Sequence, residues 1–175
     1  LKPLDEDATR KAVKHLISKG VEAIAVCFLH SYSNSTHEAR AVDIIKEIAP
    51  DLFVCASHLV VPQYREYERF STTALNAYIG PKTVHYLRSM DNELKNQSVK
   101  ADLHLMQSSG GAATLPAAEA RPVNLLMSGP AGGLIGGIWV GKSAGYDSVI
   151  TLDVGGTSAD IGVAPNGEIL YKHIL

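Results

Sequence analysis

The chain has 175 residues, 46% of them hydrophobic and 19% charged, with 16 basic and 18 acidic residues and a formal net charge of -2. That make-up belongs to an ordinary globular domain long enough to bury a core, and it argues against disorder. The charges are scattered, which leaves no electrostatic footprint for nucleic acid or a membrane surface, and no apolar run approaches the ~20 residues of a bilayer-spanning helix.

The predicted elements begin with Asp5-Glu6-Asp7, acid placed in a first helical turn, followed by Ala12, Val13, Leu16 and Ile17 at helical spacing and by Gly20 as a stop. Ala23 to Leu29 is a continuous apolar run of strand length, as expected of a parallel strand covered on both faces. Ser35-Thr36-His37-Glu38 has the form of a capping box, and Ala41, Ile44, Ile45 and Ile48 supply the buried stripe of a second helix that Pro50 ends. Leu52 to Ala56 is a second short strand, so the first part alternates helix and strand in the manner of an α/β layer.

After a linker around Pro62, Glu66 to Leu94 is helical in pattern, with Pro81 expected to kink or restart the helix. Leu103 to Met106 is a third strand that runs into the loop Ser108-Ser109-Gly110-Gly111. Gly129 to Ala144 reads as a helix whose small residues let neighbouring backbone approach closely. Val149 to Asp153, Ala159 to Val163 and Ile169 to Ile174 are strands, with Gly155-Gly156 and Pro165-Asn166-Gly167 as the turns between them. Cys27 and Cys55 lie in apolar runs and read as buried thiols of a reducing cytoplasm. The start at Leu1 and the stop in an apolar stretch read as an internal piece of a longer protein.

Chemistry concentrates in Thr151-Leu152-Asp153-Val154-Gly155-Gly156-Thr157-Ser158-Ala159-Asp160-Ile161, a strand, a glycine turn and a returning strand with a carboxylate on each arm. Adjacent glycines let backbone N–H groups reach phosphate oxygens, and the hydroxyls of Thr157 and Ser158 add donors. Asp153, at a strand end, is placed to hold the waters of Mg²⁺, an ion that keeps much of its hydration shell. Taken alone, the same residues also fit a tight hairpin with merely solvated carboxylates.

Context favours the phosphate reading. The hairpin resembles the second phosphate-binding element of the actin, heat-shock chaperone and sugar-kinase superfamily, with Ser128-Gly129-Pro130-Ala131-Gly132-Gly133 as the small-residue helix before it. Together with Glu66-Tyr67-Glu68-Arg69-Phe70-Ser71-Thr72-Thr73, Asn76-Ala77-Tyr78 and Met106-Gln107-Ser108-Ser109-Gly110-Gly111, these segments are similar to the hydantoinase A / 5-oxoprolinase family. Ala159 departs from the pattern, where that family's turn is expected to carry threonine.

The resemblance implies an α/β fold built from parts of two ribonuclease-H-like, actin-like ATPase lobes, with mixed sheets flanked by helices. Residues 1–65 would close an N-terminal domain and 66–175 would open the catalytic domain, ending in the hairpin. A first phosphate hairpin would lie upstream and the adenosine segment downstream. The implied activity is ATP-dependent opening of a lactam or cyclic imide in the cytoplasm, with ATP and Mg²⁺ as cofactors and a hydantoinase B-type subunit or domain as partner. In that scheme Asp153 organises Mg²⁺, Asp160 orients a water or the metal shell, and Gly155, Gly156, Thr157 and Ser158 hold phosphate. A ketone carboxylase of the same family, a kinase and a non-enzymatic nucleotide switch remain alternatives.

Other signals carry less. Gly136-Gly137-Ile138-Trp139-Val140-Gly141-Lys142-Ser143 satisfies the P-loop letters, but the residues before it read as helix rather than strand and its interior is bulky. None of the seven histidines is spaced as a metal pair. Glu66, Glu68 and Arg69 read as a solvated helix start, with a substrate pocket as the alternative, and no serine sits in a nucleophile elbow.

Overall fold

In the computed structural model, the described residues are 2–156 and 158–169. They form six helices, α1 (Glu6–Ser18), α2 (Thr36–Ile48), the single turn α3 (Ser57–Val60), α4 (Glu66–Asn96), α5 (Leu115–Ala120) and α6 (Ser128–Ser143). The strands are β1 (Ala23–Val26), β2 (Phe53–Ala56), β3 (His104–Met106), β4 (Ala112–Thr114), β5 (Val149–Val154) and β6 (Ala159–Ala164). They pair as β1 with β2 in parallel, and as β3 with β4 and β5 with β6 in antiparallel fashion. The fold is therefore mixed α/β with small sheets flanked by helices, in two compact units: Leu1–Ala101 with Glu119–Val123, and Asp102–Ala118 with Asn124–Leu175.

In the first unit the parallel pair is covered on both faces, as its apolar runs require. Ile24, Val26 and Ala56 pack with Val13 of α1 and Ala41 and Ile45 of α2, while Cys55 packs with Val60 and with Ala77 of α4. Ile45 is 2% exposed, a burial that stabilises by about 1.5–3 kcal/mol. Gly80 lies so close to the Phe53 ring that any side chain there would overlap it. α4 runs through Pro81 as one helix rather than restarting there. The contacts of Ala77, Gly80 and Leu87, all buried, offset the intrahelical bond that proline removes.

A buried polar network closes the C-terminal ends of β1 and β2. The capping box does not form, since Ser35 makes no side-chain cap bond. Glu38, fully buried, instead accepts from the Phe28 N–H (2.7 Å) and the Ser57 hydroxyl (2.6 Å) on Oε1, and from the His58 N–H (2.9 Å) on Oε2. Arg69 is equally buried and donates to Ser57 Oγ, to the Gln63 and Phe28 carbonyls and to Glu66 Oε1. The expected solvated helix start thus holds for Glu68 only, because the guanidinium of Arg69 is the donor that the loop carbonyls need. His30 (φ 57°) and Arg65 (φ 79°), on the loops feeding this network, take left-handed backbone that non-glycine residues adopt at a cost.

The second unit lays β5 and β6 across α6. Side chains added at Gly137 or Gly141 would overlap Thr151 and Val149, and one at Gly162 would come within 2.7 Å of Leu134 Cδ1. Gly133, Gly137 and Gly141, four residues apart, form a seam along one face of the helix, against which Gly162 of β6 packs. On its other face the ribbon exposes Ile150, Leu152, Val154 and Ile161. The strand expected at Ile169–Ile174 lies outside the described residues from Leu170 onward, and Ile169 itself is not in a strand. Among the described residues no helix is long and apolar enough to cross a membrane.

Candidate functional site

The hairpin register pairs Asp153 with Asp160 and Val154 with Ala159, and the Gly155 N–H donates to the Ser158 carbonyl at 2.9 Å to close the turn. Directly opposed residues project from the same face of a two-stranded ribbon. That face is the one on the α6 seam, where a Cβ at Gly133 would sit 3.8 Å from Asp153 Oδ2. Both carboxylates border a cavity of about 460 Å³ within this unit, walled also by Thr151, by the loop Ser108 to Gly110 and by the first turns of α6 through Pro130 and Ala131.

The start of α6 adds a favourable field. Met127, its N-cap, and Pro130 and Ala131 of its first turn line the cavity, which puts the positive end of the helix dipole at its wall. Ser108 is fully engaged in holding the wall, its hydroxyl donating to the Asn124 carbonyl (2.7 Å) and accepting from the Met127 N–H (3.2 Å), which leaves it no role as a nucleophile. Gly110, at φ 85° and with Ile135 Cδ1 2.5 Å from where its Cβ would be, is required by the loop itself.

Gly155 and Gly156 are different. Neither has a left-handed φ; a Cβ at Gly156 meets nothing within 4 Å, and one at Gly155 meets only the Ser158 carbonyl at 3.7 Å. Among the described residues, then, no neighbour requires glycine at Gly156. Of the residues singled out from sequence, the cavity gathers Asp153 and Asp160, whereas Gly155, Gly156 and Ser158 stand at the exposed turn beyond it. Thr157 lies outside the described residues.

The donor set suits a hydrated hard cation. Among the described residues no hydrogen bond or ion pair neutralises either carboxylate, and no group of three or more metal-binding side chains occurs. Two oxygen ligands are what Mg²⁺ takes when it keeps most of its waters. Cysteine chemistry has no place here, since burial pushes the Cys27 thiol up to about 11 and raises that of Cys55 as well. The P-loop-like letters from Gly136 to Ser143 lie wholly inside α6 and form no loop.

Sequence reasoning picked out the loop Ser108 to Gly111 and the small-residue start of α6, but not that both wall one cavity with the carboxylates. Strand β4 was not foreseen, and it turns the Ser108 to Gly111 segment into a hairpin loop beside the carboxylates. Glu38 and His58 of the first unit were also missed as a pair, because their meeting depends on strand order rather than on spacing.

Residues 69–174 match the Hydantoinase/oxoprolinase family, and residues 1–49 match the Hydantoinase/oxoprolinase N-terminal region. Caprolactamase subunit alpha of Pseudomonas jessenii is 39% identical over 97% of this chain and 24% of its own length. The solved ATP-dependent caprolactamase from that organism superposes with a TM-score of 0.83 over 93% of this chain and 24% of its own. A nucleotide-free acetone carboxylase structure gives a TM-score of 0.83 at 34% identity, over 95% of this chain and 24% of its own. The 5-oxoprolinase of Saccharomyces cerevisiae is 32% identical over 97% of this chain and 13% of its length. The chain thus spans about a quarter or less of the relatives it matches.

Proposed function

This chain belongs to the hydantoinase/oxoprolinase family, and from that premise we propose that it supplies one phosphate-binding half of an ATP-dependent enzyme that opens a cyclic amide. The observation that carries the reading is the Asp153–Asp160 pair on a cavity wall, beside a turn whose Gly156 the fold does not itself require. Two relatives are named for lactams, caprolactam and 5-oxoproline, and a solved relative is described as ATP-dependent.

An unstrained amide resists water because its carbonyl carbon is a poor electrophile. In the proposed reaction the amide oxygen attacks the γ-phosphorus of ATP and the bond to ADP breaks. Water then adds to the activated carbon, cleavage of the C–N bond expels the ring amine and leaves an acyl phosphate, and a second water releases inorganic phosphate to give the amino acid. Phosphoryl transfer of this kind is catalysed by positioning and charge neutralisation, not by a covalent nucleophile. The N–H groups of Gly156 and Thr157 would hold phosphate oxygens and the Ser158 hydroxyl would add a donor, while Gly155, whose N–H is committed to the Ser158 carbonyl, contributes only its missing side chain. Asp153 fixes the water shell of Mg²⁺, and Asp160 orients a water of that shell or the attacking water. When bound, Mg²⁺ neutralises developing phosphate charge.

In this scheme residues 1–65 end the N-terminal domain and 66–175 begin the catalytic one. A second, hydantoinase B-type subunit completes the enzyme, in keeping with relatives named as subunits. The free thiols Cys27 and Cys55 suit the cytoplasm. A ketone carboxylase is the competing reading, supported by the acetone carboxylase likeness. Product analysis of the full-length protein with its partner separates them. Ring-opened amino acid formed in step with ADP is expected, and ATP use that requires bicarbonate and a ketone would replace this reading with the carboxylase.

A further inference from the structure

The first unit holds a constellation that phosphate binding does not use. Glu38 Oε2, besides the His58 N–H, receives the ring Nδ1 of the same histidine at 2.7 Å. A carboxylate at that distance fixes the tautomer, with hydrogen on Nδ1 and a lone pair on Nε2. Two contacts from one residue to one oxygen hold the ring as well as its protonation pattern. The His58 side chain is 14% exposed, no described residue is bonded to Nε2, and no buried side-chain nitrogen among the described residues lacks a partner. Nε2 is therefore the accessible atom.

His58 follows β2 directly, at the carboxyl ends of a parallel strand pair, where open α/β sheets take their ligands. Leu59, next to His58 in α3, is 55% exposed, and Leu29, on the loop after β1, is 70% exposed. A small ring with an N–H group matches that combination better than a charged metabolite, because the carboxylate already present is buried and engaged.

We propose that His58 Nε2 accepts the N–H hydrogen of a cyclic amide or imide bound at the carboxyl edge of β1 and β2, with Glu38 as its positioning residue. The ring class rests on the function proposed above; the acceptor geometry does not. The charged and titratable groups around His58 are Glu38 from α2, Arg69 and Glu66 from α4, and His30 from the loop after β1. Among them, His30 Nδ1 lies 4.0 Å from Glu66 Oε1.

The test titrates full-length protein, labelled with ¹⁵N in its histidines, with glutarimide and with N-methylglutarimide in the absence of ATP. Glutarimide is expected to shift the His58 Nε2 resonance, and the N-methyl compound to bind at least tenfold more weakly, a comparison that needs no variant. His58→Gln should weaken glutarimide to the same degree while leaving ATP affinity unchanged. Equal affinity for the two imides, no glutarimide binding, or unchanged binding in a folded His58→Gln protein would overturn the proposal. N–H-dependent binding without lactam-driven ADP release would leave it standing and refute the hydrolase reading instead.

Discussion

Asp153 and Asp160 face each other across β5 and β6 in direct cross-strand register, and both border the same cavity. Like charges placed so are destabilising by roughly 0.2–1 kcal/mol in a bare hairpin. The arrangement makes physical sense when a cation shares the pair.

Asp153→Asn keeps the strand shape and removes charge from the metal shell. Substrate-dependent ADP release by the full-length enzyme should fall on the order of 10²-fold, about 3 kcal/mol of transition-state stabilisation. The same exchange relieves repulsion, so thermal unfolding without divalent ions should show a folded state at least as stable as wild type. Near-normal turnover would return the hairpin to a structural role.

Two glycines of this unit should respond in opposite ways. Gly156→Val meets no neighbour in the fold, so the protein should remain folded while ATP affinity collapses. Gly137→Val drives a side chain into Thr151 and should cost about 1–3 kcal/mol of stability or more. Calorimetry with ATP and denaturant titration on both variants read the two effects separately.

Lys142 lies inside α6 and is exposed, away from any phosphate-binding loop. Lys142→Ala should leave ATP turnover within a few-fold of wild type, and a loss of a hundredfold in folded protein would revive a P-loop role for this segment.

Acid should weaken the first unit through Glu38. Burial pushes its carboxyl up, but hydrogen bonds from the Ser57 hydroxyl, the His58 and Phe28 N–H groups and the His58 ring together hold it below the usual carboxylate range. A depressed folded value means that the stabilisation is present above about pH 4.3, the unfolded value, and is lost as pH falls through the folded one. Glu38→Gln should therefore cost about 3 kcal/mol near pH 7, and the gap from wild type should shrink below about pH 4 in denaturant titrations.

Much of this was legible in the sequence. The parallel strands, the long helix, the glycine helix and the hairpin followed from apolar spacing and turn chemistry, and their ends moved by only a few residues; β1, for example, stops at Val26. The hairpin carboxylates were found from the strand, glycine turn and returning strand and from the family resemblance, while their shared face follows from the pairing register. Glu38 was misread because a glutamate three residues after a serine looks like a cap, while its real partners, Phe28 and His58, arrive through β1 and β2 pairing. Arg69 was misread for the same reason, since nothing local announces a carbonyl supplied by Phe28. Strand β4, Ala-Ala-Thr, is too short and too small-sided to register as a strand at all.

The glycine seam between α6 and the ribbon has a mechanical consequence. Where two elements touch through long side chains, rotamer changes let one shift against the other. Here the main chain of α6 at Gly137 and Gly141 rests directly on the short branched side chains of Thr151 and Val149, whose rotamers are stiff, so that slack is small. The carboxylates of Asp153 and Asp160 are then indexed to the helix as teeth are to a rack: a displacement of α6 along its axis carries them with it, and a load on the turn is returned to the helix undiminished.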